Sequence, residues 1–273
     1  MFALEPKVPY IDMKVRWNST FQMLSFALTY KKALNHMATE LKLTISVDDW
    51  ERVDACKQIL EPYKYLTDIL CKEKYVSISK VVLGFNYLMD ELDKLLVKYK
   101  VYKNEINKGY EKLKHYYKKT DESGIFLTAA VLDPNTKLAY FVAQEWSKDE
   151  IKLLRDMSGE LFEHYKKEDE EKISSQNFFD LFWKKSEKKD ELTTYLNSEV
   201  EQCADSLKYW CNKKGSEGLK TMARDVLSIP ATTCYLERSF CRGVDLVTPA
   251  RSRLTKNTIQ ACMGVSHWLK NKD

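Results

Sequence analysis

Few residues in this sequence are arranged for chemistry. The four histidines, His36, His115, His164 and His267, are scattered rather than paired at ligand spacing. Cys203 and Cys211 lie eight positions apart with no histidine pair after them, which does not make a zinc-finger ligand set. No phosphate-binding loop, dinucleotide glycine pattern, serine elbow or zinc-protease motif is present. Two places keep a chemical reading. Arg16 stands beside Trp17, and an exposed aromatic next to a guanidinium can stack on a base and hold a phosphate. The same spacing suits a Trp wedged at a helix start against Phe21 or Leu24. Glu237 is followed by Arg238; on an amphipathic helix such a pair is ordinarily a solvated face.

The elements that would position these residues are helices. The chain has 273 residues, enough for a sizeable core, with 44% hydrophobic and 31% charged side chains, which is globular rather than disordered. Only 8 Gly and 6 Pro accompany many Lys, Glu and Leu, so helices joined by short connections are expected. The net charge of +4 is a weak hint of a nucleic-acid partner. Seven cysteines, an odd number with no secretory leader pattern in MFALEPKVPY, point to reduced thiols inside the cell. No apolar run approaches the roughly 18 residues of a membrane span, so no membrane partner is expected.

Helix signals recur along the chain. Ser19 or Thr20 could cap a helix running to about Thr39. Asp48 and Asp49 favour a helix starting near Trp50, which Pro62 should kink or divide. Val81, Phe85, Leu88, Leu92, Leu95 and Tyr99 fall on one stripe, and Ile106, Tyr110, Leu113 and Tyr117 repeat it. Ser147 with Glu150 reads as a capping box ahead of Ile151, Leu154, Leu161 and Tyr165. The run from Lys166 to Lys172 reads as a surface loop, and that from Lys184 to Glu191 as a linker. After it the composition changes. Leu227 to Phe240 is poor in charge, and Pro230 sets a bend before a new helix. A last helix, from about Thr255 to Lys270, carries Thr258, Ala261, Cys262, Val265, Trp268 and Leu269 along one side, a stripe that needs a partner.

Three stretches resemble the hAT transposases, especially fungal and plant members with an upstream BED zinc finger. In the first, Asp12 to Leu24, Arg16, Trp17, Asn18, Ser19 and Thr20 match a family motif. In the second, Leu127 to Phe141, Leu132, Asp133, Pro134, Lys137 and Leu138 match, while Asn135 replaces the usual arginine. The third and most specific runs from Asp190 through Leu207–Trp210 and Met222–Phe240 to Arg251–Leu269 and resembles the hAT C-terminal dimerisation region. Cys241 stands there in place of a frequent serine, and Gly243 and Arg251 match.

The resemblance implies a mainly α protein. It would have a helical insertion domain over residues 1–185, followed over 186–273 by the dimerisation region with the C-terminal helices of a split ribonuclease H-like core. In that core three carboxylates bind two metal ions that activate water or a DNA 3′-hydroxyl. Glu237 matches the third carboxylate; the two aspartates belong upstream of the Arg16–Trp17 motif. Arg16 lies only 15 residues after Met1, which leaves those aspartates no room. Asp133 is no substitute, because its family position lies in the insertion domain. The expected cofactor is therefore none for this chain, with Mg²⁺ expected only in a full-length transposase. Trp17 and Arg16 would form a DNA contact.

The leading expectation is a transposase-derived fragment that acts through dimerisation, as a homodimer or with full-length hAT proteins, in the nucleus and without transposase activity of its own. Leu254, Thr258, Ala261, Val265, Trp268 and Leu269 would form the dimer face. The alternatives are a truncated form of an active metal-dependent transposase and a DNA-binding regulator domesticated from one.

Overall fold

The computed structural model describes residues 7–13, 16–72, 75–121, 123–173, 191–215, 217–234, 237 and 253–270. Among the described residues every regular element is a helix, as the composition predicts. In chain order they are α1 (Trp17–Thr29), α2 (Lys31–Glu40), α3 (Val47–Leu70), α4 (Val81–Lys98), α5 (Lys103–Asp121), α6 (Ile125–Leu132), α7 (Lys137–Ala143), α8 (Lys148–Ile173), α9 (Glu191–Asn197), α10 (Ser206–Asn212), α11 (Glu217–Leu227) and α12 (Lys256–Lys270). Short 3₁₀ turns at Ile78–Lys80 and Lys100–Tyr102 precede α4 and α5.

Two apolar cores organise these helices, and α4 serves both. Its Leu88, Leu92 and Leu95 pack with Leu66 of α3 and with Ile106 and Leu113 of α5. Its Val82 belongs to the larger core, built around α6. Leu127 to Leu132 of α6 are all buried, the signature of a helix surrounded by protein rather than laid on a surface. The cover comes from α4, α5, α8 and α11, the last two also packed against each other. Tyr195, Leu196, Trp210, Met222 and Val226 share that core with Val131 and Phe141, so the larger core spans residues on both sides of position 185.

Helix α6 begins at Gly124, whose φ of +61° is a backbone conformation that L side chains rarely adopt. A Cβ there would also stand 2.2 Å from Met157 Cε of α8. Glycine thus satisfies both the turn and the close approach.

Several boundaries differ from expectation. Ser19 and Thr20 lie inside α1, whose N-cap is Arg16. The helix expected to reach Thr39 breaks at Tyr30, where Phe26 and Tyr30 stack with ring centroids 4.3 Å apart. Helix α3 starts at Val47 because Ser46 and Asp49 form a full capping box. Pro62 does not divide α3, although it removes a helical N–H. It is buried, and packing of α3 against α1 and α4 outweighs the local cost. The charged run at 166–172 is not a loop, since α8 continues to Ile173. Lys and Glu are good helix formers, and loss of apolar spacing removes only a packing partner. Most of the expected linker, residues 184–190, and most of the helix expected after Pro230 lie outside the described residues.

Candidate functional site

The first candidate site is the entry to α1. Asp12 Oδ1 accepts hydrogen bonds from Thr20 Oγ1 at 2.7 Å and Ser19 Oγ at 2.9 Å. Ser19 Oγ in turn accepts from the Met13 N–H at 2.7 Å. The Thr20 and Ser19 hydroxyls hold the Asp12 carboxyl below its ordinary range. The polar residues of the motif therefore fold the chain back on the helix start and fix where Arg16 and Trp17 emerge. Arg16 is exposed. The Trp17 side chain is 41% exposed, and its ring meets Tyr63 of α3 edge-on, centroids 6.4 Å apart. One part of the ring is anchored and the rest is open to stacking.

Residues 132–137, within the second stretch of the family resemblance, are not a surface feature. Asp133 is fully buried. Its Oδ2 accepts from Lys80 Nζ and Ser79 Oγ, both at 2.7 Å. Its Oδ1 accepts from Ser206 Oγ at 3.0 Å and from the Asn135 side chain at 2.9 Å. Burial alone would push this carboxyl up; the Lys80 ammonium and the hydrogen bonds outweigh it and hold the group below its ordinary value. Lys137, 1% exposed with φ +47°, donates to Ser198 Oγ at 2.8 Å and to the Glu199 carbonyl at 2.5 Å. Its ammonium also lies 4.7 Å from the Tyr195 ring centroid. Burial pushes Lys137 down, opposed by Glu201. The Leu132 carbonyl accepts from both Tyr195 Oη and Trp210 Nε1 at 2.9 Å. Asn135, where the family has arginine, accepts from the Cys203 N–H at 2.8 Å.

This polar knot ties the turn before α4, the α6–α7 turn and the α9–α10 region together. Ser79, Lys80, Tyr195, Ser198, Ser206 and Trp210 are among the members whose part in it the sequence reading missed. The available signal was the tight cluster of Asp133, Pro134 and Lys137 inside an apolar stretch, since a buried charge must find partners.

Glu237 is exposed. Its Oε1 accepts from Thr233 Oγ1 at 3.2 Å, and its N–H bonds the Thr233 carbonyl at 3.0 Å. The neighbours Leu236, Arg238, Phe240, Cys241, Gly243 and Arg251 lie outside the described residues. Among the described residues no three His, Cys, Asp or Glu side chains converge on a common point.

The sequence-predicted dimer face is on α12. Thr258, Ala261, Val265, Trp268 and Leu269 are exposed, Trp268 by 71% and Leu269 by 64%. Leu254 is half-buried, as are Ile259 and Met263 on the other side of the helix. Among the described residues no other helix packs extensively along α12. Among the described residues no hydrogen bond joins Trp17, Glu237 and Trp268. Among the described residues no helix is long and apolar enough to cross a membrane.

Comparison with known proteins agrees with this architecture. Residues 191–269 match the hAT family C-terminal dimerisation region, and residues 3–59 match the ZBED1 RNase-like helical domain. The chain is 27% identical over 95% of its length to the "Putative transcriptional regulator tpeD" of Talaromyces stipitatus, covering 32% of that protein. It is 24% identical over 94% of its length to the "Putative AC transposase" of Zea mays, covering 36% of it. With the "Zinc finger BED domain-containing protein DAYSLEEPER" of Arabidopsis thaliana the identity is 25% over 96% of the chain and 41% of the relative. The chain spans about a third of the length of the curated relatives it matches. A mainly α fold thus goes with a match to the ZBED1 RNase-like helical domain at one end and to the hAT family C-terminal dimerisation region at the other, and at both ends the chain is similar to proteins of the hAT superfamily.

Proposed function

We propose that residues 1–273 act by self-association through α12, as a homodimer or with longer hAT proteins in the nucleus, and have no transposase activity by themselves. The observation that carries this reading is the exposed apolar side of α12. Val265, Trp268 and Leu269 are each about half exposed or more, on a helix within the stretch that matches the dimerisation region. Burying Trp268 and Leu269 against a second copy would contribute roughly 2–5 kcal/mol, enough to shift a dimer equilibrium by orders of magnitude. Of the three carboxylates that the family resemblance implies, only the counterpart of Glu237 falls within these residues. A DNA contact at Arg16 and Trp17 accompanies this reading, supported by the half-open ring and the pinned helix start.

The test is sedimentation. The wild-type chain is expected to be a dimer at tens of micromolar, a concentration set only to order of magnitude by affinity arithmetic. Trp268→Ala with Leu269→Ala should sediment as a monomer with an unchanged far-ultraviolet circular dichroism spectrum. A wild-type chain that stays monomeric at that concentration defeats the proposal.

A further inference from the structure

The charge of this chain is not spread over it. From Lys98 to Lys119 there are eight lysines, at 98, 100, 103, 108, 112, 114, 118 and 119, against two acids, Glu105 and Glu111. That segment carries +6 where the whole chain carries +4, so the remainder is net negative. All eight lysines are exposed.

Helix α5 sorts them. Its apolar side, Ile106 and Leu113 with Tyr110 and Tyr117, is spent in the two cores. Lys108, Lys112 and Lys119 recur at helical spacing on the opposite side, with His115 between them. They extend over about 16 Å of helix. Tyr116, 48% exposed, sits beside this row. The Lys112 and Lys119 ammoniums lie 5.3 and 5.6 Å from its ring centroid. The ring thus holds two cations near one another against their repulsion. Among the described residues Lys114 pairs with Glu111 at 3.6 Å, while Lys108, Lys112, Lys118 and Lys119 make no ion pair.

We propose that this face of α5 is a nucleic-acid docking surface, with Lys108, Lys112 and Lys119 meeting the phosphates of a DNA duplex without reading its sequence. A row of unpaired ammoniums on a rigid helix matches a linear polyanion, and releasing the counterions of the duplex drives such binding. An anionic membrane is the poorer fit. Interfacial helices insert an apolar face, and that of α5 is already buried within the protein. The inference rests on charge placement and is independent of dimerisation through α12.

The experiment is fluorescence anisotropy of the full chain with a labelled duplex of random sequence, titrated with salt. Replacing Lys108, Lys112 and Lys119 together by Gln should weaken binding about tenfold or more and reduce the slope of log affinity against log salt by about 3. The same three positions as Arg should retain wild-type binding, since the charge is kept. A control with Lys148, Lys152 and Lys208 as Gln removes equal charge from other exposed sites and should bind within about twofold of wild type. Equal losses in the two Gln variants would overturn the proposal, as would a wild-type chain that does not bind duplex. Preference for phosphatidylserine vesicles over duplex at equal phosphate would overturn it too.

Discussion

The Asp133 carboxylate and the Lys80 ammonium meet at 2.7 Å, with the acid fully buried and the base on the rim of the core. Asp133→Asn would leave Lys80, Ser79 and Ser206 without their charged acceptor. Unfolding in urea should show a loss of about 3–5 kcal/mol at neutral pH, the range for breaking one partner of a buried pair. The folded carboxyl value is lowered from 3.8, so this contribution is complete above that value and is lost as pH falls through the lowered one. The gap between wild type and Asp133→Asn should therefore narrow in acid. A gap that is constant from neutral pH to strong acid would contradict this account.

Gly124 answers to two constraints at once. Gly124→Ala imposes a positive φ on a residue with a Cβ, costing about 1–2 kcal/mol, and obliges the flexible end of Met157 to move aside. Thermal melting of the variant checks this; a variant as stable as wild type would refute it.

Trp17→Ala should separate stacking from packing. If the open part of the ring takes a base, affinity for hairpin-ended DNA should fall by about tenfold, consistent with the 1–3 kcal/mol typical of aromatic stacking, and affinity for intact duplex much less. Equal losses on the two DNAs, together with a marked drop in melting temperature, would instead make Trp17 a packing residue held by Tyr63.

No strand cleavage is expected from this chain with Mg²⁺ or Mn²⁺, since of the three carboxylates that the family resemblance implies only the counterpart of Glu237 falls within these residues. A supercoiled plasmid incubated with the protein should stay supercoiled. Nicking that requires metal and disappears in Glu237→Ala would show that other carboxylates complete the site.

What could be read from the sequence was local. The Val81–Tyr99 stripe and the Ser147–Glu150 capping box appear where spacing placed them, because both signals act within one or two helical turns. The Ser19 reading failed because Asp12, seven residues earlier, engages its hydroxyl. The structural role of Asp133 could not be read. Lys80 and Ser206 lie 53 and 73 residues away, and nothing local marks them. On α12 the stripe residues Thr258, Ala261, Val265, Trp268 and Leu269 are exposed, as are Asn257, Gln260 and Ser266 off the stripe, while Leu254, Ile259 and Met263 are half-buried. Amphipathic spacing gives two sides, and only tertiary contact decides which is covered.

Helix α6 is apolar all round, and part of its cover, α11, is encoded nearly a hundred residues later. During translation the ribosome would release α6 on the order of ten seconds before Met222, Ala223 and Val226 emerge to shield it. Through that interval the nascent chain would present Val131 and Leu132 to whatever hydrophobic surface is near. Chaperone demand should therefore peak while residues between α6 and α11 are being made, and a polypeptide halted before α11 should collect in inclusion bodies.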